Sequence, residues 1–370
     1  MRKFLSQPLL VATTTYIGIW YPVTLYAQTK SVFLLGLATT LYNLANGAGS
    51  YFWGDLLDRT YRRVEFGVTL PSLLLISSIL LNGNLTESLL GYSLAGFSSS
   101  LNSPLYSLIL LENYSFEEIP KMNSRLSQLT LIGNAAGSIS AIFESSYTYP
   151  LVLSIFSLPL TLFSISGVTG KPNFDRRLRT KNVKELSEAL ISFASFNFAA
   201  EIFFTAYVPL NYDLKNPKYF IYLSYFILYL IDEGVYYISA RIVNGKESFL
   251  MYVSLTGRAL IVLLTSALLK LRIEPNTSQI PLFVTFGSIY PVFSISFFSY
   301  IFRGLKKNRG SIIGIFNAVE DMANIAGSSA VSFFGNDLNL DYLVSFYSFS
   351  LSTITLYAFI SRRYSTSSSS

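Results

Sequence analysis

The chain of 370 residues contains no cysteine and no histidine. Without thiols it has no disulfides and no thiolate chemistry. Without imidazole it lacks the side chain that exchanges protons most readily near neutrality, and with it the commonest zinc and haem ligand. Proton chemistry in its interior therefore falls to carboxylates, tyrosine, lysine or arginine. Charge is scarce too: 13% of residues are Asp, Glu, Lys or Arg against 51% apolar, with a mean hydropathy of +0.44. That leaves too little polar surface to coat a water-facing globule, so an ordinary soluble domain is excluded and the chain belongs in lipid. A G-x-x-x-x-G-K-S/T signature is also missing. Direct ATP drive within this chain is therefore not expected, nor is any cofactor or metal site.

What the chain does have is long apolar runs. A helix crossing about 30 Å of hydrocarbon needs roughly 20 apolar residues. Twelve stretches qualify, at 4–27, 31–53, 64–82, 88–111, 125–144, 148–168, 187–210, 217–239, 248–270, 279–302, 311–334 and 341–360. Arg2 and Lys3 give the first run the look of a signal peptide cleaved near Ala27. Cleavage would leave eleven spans and break the symmetry below, so a retained helix is expected.

Basic residues set the expected orientation, because Lys and Arg stay on the cytoplasmic side. With the N-terminus inside, cytoplasmic segments hold 21 of the 27 Lys and Arg, external loops hold 5, and Arg258 lies within a span. Both termini are expected in the cytoplasm. The formal charge of +6 is thus explained by loops beside a bilayer, and nucleic acid is not an expected partner. The stretch 169–186 carries Lys171, Arg176, Arg177, Arg179, Lys181 and Lys184 midway along the chain and reads as a linker. It separates an N-terminal six-helix bundle, 1–168, from a C-terminal one, 187–362. A low-complexity tail at 363–370 is expected to be disordered.

The halves repeat each other at an offset of about 185 to 190 residues. Pro104-Leu-Tyr-Ser107 in the fourth span matches Pro291-Val-Phe-Ser294 in the tenth. Asn134-Ala-Ala-Gly137-Ser138 in the fifth matches Asn324-Ile-Ala-Gly327-Ser328 in the eleventh. Two matches in the same order indicate a six-plus-six duplication.

Between the second and third spans lies GDLLDRTYRR, residues 54–63. It resembles the loop motif G-x-L-x-D-R-x-G-R-R of major facilitator superfamily transporters, through Gly54, Leu56, Asp58, Arg59, Arg62 and Arg63, with Tyr61 where the family has glycine. Together with twelve spans, a central basic loop and duplicated halves, the resemblance covers essentially the whole chain. It implies an all-α membrane protein of 12 transmembrane helices, in which two pseudo-symmetric six-helix bundles rock about a midplane path. Helices 1, 2, 4, 5, 7, 8, 10 and 11 would mostly line that path. Gly54, Asp58, Arg59, Arg62 and Arg63 would then form a gating latch. The plainer reading is a basic loop that only fixes orientation.

Charges inside lipid cost about 2.5 to 3.5 kcal/mol at a helix centre on insertion scales, so each needs a reason. All the central ones lie in the second half: Glu201, Asp232, Glu233, Arg258, Glu320 and Asp321. Asn317, Glu320, Asp321, Asn324 and Ser328 fall within one arc of about 100° on the eleventh helix, a stripe that cannot face lipid. Glu201, Glu320, Asp321, Asn317 and Asn324 are the candidates for proton coupling or substrate contact. Asp232, Glu233 and Arg258 are read as a structural ion-pair set, because a lone arginine in a span demands a partner. Gly133 and Gly137, a GxxxG, and Gly327 are read as helix-packing positions. The first half offers neutral groups instead: Thr13, Thr14, Thr15, Tyr16, Asn43, Asn46 and the serines 98–100.

The expectation is a secondary transporter, not an enzyme, in the plasma membrane. It would move a small organic solute by alternating access with coupled protons. The alternatives are a multidrug or metabolite efflux permease, or a transport-inactive sensor or assembly partner. Solute, protons and lipid bilayer are the expected partners; the oligomeric state is left open.

Overall fold

The computed structural model describes residues 2–115, 118–143, 147–168, 170, 186–243, 245–271, 279–303, 309–335 and 337–367. Within these, positions 58, 119–121, 240, 302–303, 309–314 and 363–367 are described by backbone alone. Apart from a short 3-10 turn at Arg2–Phe4, the regular structure is α-helical. The helices are α1 Gln7–Thr29, α2 Val32–Arg59, α3 Arg63–Leu80, α4 Leu85–Asn113, α5 Ile119–Phe143, α6 Thr148–Ile165, α7 Ser187–Asp213, α8 Lys218–Ile242, α9 Glu247–Lys270, α10 Gln279–Ser288, α11 Tyr290–Arg303, α12 Arg309–Phe334 and α13 Leu338–Ser367. Each of the twelve expected spans coincides with helix. Among the described residues, eight stretches are long and apolar enough to cross a membrane. Those that fall short, α1, α2, α4 and α12, are helices in which Thr, Ser, Asn or carboxylates interrupt the apolar run.

Two boundaries differ from the sequence reading. The tenth span is two helices, with Ile289 between α10 and α11. Pro291 has no N–H to give the carbonyl of Gly287 four residues back, and its ring crowds that position, so the helix is interrupted there. At the C-terminus α13 continues to Ser367, beyond residue 362 where the second half was expected to end. Nothing in Leu338–Ser367 is glycine or proline, so no residue stops the helix. Of the expected linker 169–186, only Gly170 and Leu186 lie among the described residues.

The chain divides into two compact units. One comprises Met1–Gln28, Ala38–Arg176 and Tyr225–Tyr229; the other comprises Thr29–Leu37, Arg177–Ser224 and Leu230–Ser370. Each has its own core. In the first unit α3 packs on α4 and α6; in the second α9 packs on α11 and α13. Hydrogen bonds repeat with the packing. The hydroxyls of Ser6 and Ser164 are 3.0 Å apart, and those of Ser192 and Ser352, displaced by the repeat offset, are also 3.0 Å apart. The second core is rich in ring contacts: Phe203 stacks on Phe286 at 3.8 Å and Phe196 on Phe293 at 3.9 Å, while Tyr207 and Phe283 lie tilted at 4.0 Å, between centroids. Such contacts add packing geometry to the burial of large apolar surfaces.

Small residues set the close helix approaches. A β-carbon at Gly133 would stand 2.7 Å from the Pro8 carbonyl oxygen, and one at Gly137 2.5 Å from that of Ala12 and 3.0 Å from Thr15 Cβ. One at Gly327 would stand 2.8 Å from the Phe198 carbonyl oxygen and 2.9 Å from Glu201 Cβ. The second half therefore reuses the register of the first. Gly137 of α5 sits over Ala12 and Thr15 of α1, and Gly327 of α12 sits over Phe198 and Glu201 of α7.

Candidate functional site

In the second unit, the interrupted tenth crossing is the centre of the arrangement. Arg258 on α9 is 1% exposed. Its Nε donates to the Phe286 carbonyl at 2.9 Å, and one terminal nitrogen donates to the Gly287 carbonyl at 3.3 Å. These carbonyls lie in the last turn of α10, where the break and Pro291 remove their helical donors. Its guanidinium also lies 4.3 Å from the Phe286 ring centre, 4.7 Å from that of Phe196 and 5.7 Å from that of Tyr290. Hydrogen bonds and ring faces together house the charge, and a cation at a helix C-terminus is favourably placed. Beside Arg258, Gly257 keeps α9 slim at the break: a β-carbon there would stand 3.3 Å from Ile289 Cδ1.

The remaining carboxylates stand in different surroundings. Tyr290, the first residue of α11, donates its hydroxyl to Glu320 on α12 at 3.4 Å, which ties the break to the polar stripe. On that stripe Asn317 is exposed, Glu320, Asp321 and Asn324 are half-buried, and Ser328 is buried with its hydroxyl bonded to the Asn324 carbonyl at 2.9 Å. Glu201 accepts from Thr205 at 3.4 Å along α7. Asp232 on α8 interacts electrostatically with Arg258, yet among the described residues its buried Oδ1 and the buried Arg258 Nη1 have no hydrogen-bond partner, and the guanidinium's own bonds go to carbonyls. Glu233, one residue on, is exposed. Of the expected ion-pair set, then, Asp232 and Arg258 are brought within electrostatic reach, and Glu233 points elsewhere.

In the first unit the motif between α2 and α3 is organised by Arg63. It is 1% exposed and makes a bidentate pair with Glu112 on α4, Nε to Oε2 at 2.9 Å and Nη2 to Oε1 at 2.6 Å. Its Nη1 donates to the carbonyls of Leu57 at 2.7 Å and Thr60 at 3.0 Å, closing the turn that follows α2. Arg59 pairs with Asp55 one turn back at 2.7 Å, and Arg62 is exposed. A β-carbon at Gly54 would meet nothing within 4 Å among the described residues. The side chain of Asp58 lies outside the described residues. Glu112 went unnoticed in the sequence, although it is the acid at the end of the fourth span, at a depth matching Arg63.

Most neutral groups of the first half serve the helices themselves. Thr13 and Ser98 bond to carbonyls four residues back, at 2.8 Å and 2.6 Å, while Thr14 and Ser100 bond to those three residues back, at 3.0 Å and 2.8 Å. Thr15 is different: it donates across to Asn134 on α5 at 2.8 Å. Asn46 donates to Ser99 at 2.9 Å and joins α2 to α4.

With this geometry in hand, the chain can be set against known proteins. The profile of the Major Facilitator Superfamily matches residues 4–328. The chain belongs to that superfamily, a class of membrane transporters. No curated protein sequence matches it. Among solved structures it is similar to the nucleoside transporter NupG in its D323A mutant form, at 12% identity and a TM-score of 0.72 over 98% of this chain and 99% of that one. It is also similar to a D-xylose–proton symporter, at 14% identity and 0.74 over 97% and 96%. A bacterial homologue of the iron transporter ferroportin in an inward-facing state gives 14% identity and 0.74 over 97% of both chains. At these identities the likeness is one of fold.

Proposed function

We propose that this transporter moves a small organic solute across the plasma membrane by alternating access, coupled to protons, with both termini cytoplasmic. The observation that carries the reading is the Glu320–Tyr290 contact at the interruption of the tenth crossing. A carboxylate tied to a helix break senses any movement of that break through its hydrogen bond, and a change in its surroundings changes its proton affinity. Glu201, Asp321, Asn317 and Asn324 complete the polar set, with Arg258 as the stabiliser of the break. The lack of histidine and cysteine in the sequence favours an organic solute over a soft metal ion, whose preferred ligands they are. Hydroxyl, amide and ring groups suit an uncharged polar solute. In this reading residues 1–168 and 187–362 are the moving halves, and Arg63–Glu112 with Asp58 and its neighbours forms the latch.

The test begins with a thermal-unfolding screen of the purified protein against sugars, nucleosides, amino acids and organic acids, since a bound ligand raises the unfolding temperature. The hit is then used in vesicles. Glu320→Gln is expected to abolish accumulation driven by a proton gradient while solute counterflow survives. Gradient-driven accumulation equal to wild type in Glu320→Gln, Asp321→Asn and Glu201→Gln alike would rule the coupling reading out.

A further inference from the structure

One acid of the second unit has no part in the site above. Asp341, in the first turn of α13, is 0% exposed, and among the described residues neither of its carboxyl oxygens has a hydrogen-bond partner. The hydroxyl of its neighbour Tyr342, also 0% exposed, is likewise buried with no partner among the described residues. This burial is produced by the protein itself, so surrounding lipid adds to it. Two amides of this turn are already engaged: Leu340 N–H donates to Asp337 Oδ1 at 3.1 Å, and the N–H of Asp341 donates to the Asp337 carbonyl at 3.2 Å.

Helices α7, α9 and α12 pack against α13. Among the described residues, the titratable groups that bear on Asp341 and Tyr342 are Asp337 on α13 and Tyr207 on α7. Neither is a cation. Tyr207 exchanges a hydrogen bond with Ser224 at 2.7 Å, and the Tyr342 ring meets Phe203 edge-on at 5.7 Å. An ionised Asp341 would thus be a desolvated charge with no donor and no counter-ion, the costliest way to bury a carboxylate. The amino end of α13 offers partial positive charge, but this is a weaker effect than the lost hydration.

We propose that Asp341 is a proton-binding site: the folded protein carries this carboxyl as the neutral acid, with the proton as its ligand. The site is separate from the Glu320 constellation and does not rest on the function proposed above.

Infrared spectroscopy of the purified protein in lipid tests this directly. At neutral pH the wild type is expected to show the carbonyl stretch of an undissociated carboxylic acid, part of which disappears in Asp341→Asn. That variant is isosteric with the neutral acid and is expected to unfold at the wild-type temperature or above. Three results would overturn the proposal. One is an acid carbonyl signal unchanged by Asp341→Asn. The second is an Asp341→Asn protein that folds but is strongly destabilised, which would mean that the negative charge is needed. The third is an Asp341-dependent rise in unfolding temperature with sodium or potassium at fixed pH, which would make the ligand a metal cation. Asp341→Ser under the same infrared measurement supplies the assignment if the asparagine variant is not recovered.

Discussion

Among the described residues each half of the molecule buries one arginine, and the two are housed in opposite ways. Arg63 in the first half is met by a carboxylate, Glu112, and two carbonyls. Arg258 in the second is met by two carbonyls and a set of ring faces, with Asp232 only in electrostatic reach. A buried guanidinium can thus be housed without a bonded carboxylate: carbonyls at a helix break take two of the Arg258 nitrogens, while its third, Nη1, is buried with no hydrogen-bond partner among the described residues. The same contrast runs through the repeated prolines. Pro104 sits inside the unbroken α4, whereas Pro291 stands at the interruption between α10 and α11. The duplicated sequence thus supports a rod in one half and a joint in the other.

The largest expected effect breaks the comparison at Arg63. Arg63→Met removes the bidentate pair with Glu112 and both carbonyl contacts, and should cost about 3–5 kcal/mol, read as a large drop in unfolding temperature. Arg258→Met should cost about 2–4 kcal/mol through two unsatisfied carbonyls. Adding Pro291→Ala returns a backbone donor to Gly287, so Arg258→Met/Pro291→Ala should recover part of that loss; strict additivity of the two changes would show that the carbonyls are not what Arg258 satisfies. Gly137→Val and Gly327→Val probe the shared register. Each should destabilise by about 1–3 kcal/mol through overpacking against the facing carbonyl, and a marked inequality between them would show that the halves pack differently. The smallest effect on stability is expected from Glu201→Thr, which gives α7 the hydroxyl that Thr15 provides on α1. It should change stability by about 1 kcal/mol or less while lowering gradient-driven transport of whichever solute the screen identifies.

The helices were legible because lipid imposes a length and a composition that few other structures share, so even α4 and α12, crowded with serine or carboxylates, stood out by their apolar flanks. Pro291 was visible as half of a repeat, but its consequence was not, because Pro104 occupies the matching position without interrupting its helix. Arg258 announced that it needed partners, and carboxylates were the natural expectation. The carbonyls of Phe286 and Gly287 were invisible to a reading of side chains, since backbone acceptors become available only where a helix breaks. Glu112 and Asp341 were passed over for a related reason: both lie at ends of spans, where an acid is expected to be solvated, and only tertiary packing buries them.

The paired serines have a meaning for how the chain is made. Ser6 with Ser164 joins the start of α1 to the end of α6, and Ser192 with Ser352 joins α7 to α13. Each stitch connects the earliest and latest parts of one half, so the first half owns its closing contact before any of the second has left the ribosome. Synthesis can then proceed as two successive completions, each sealed from within.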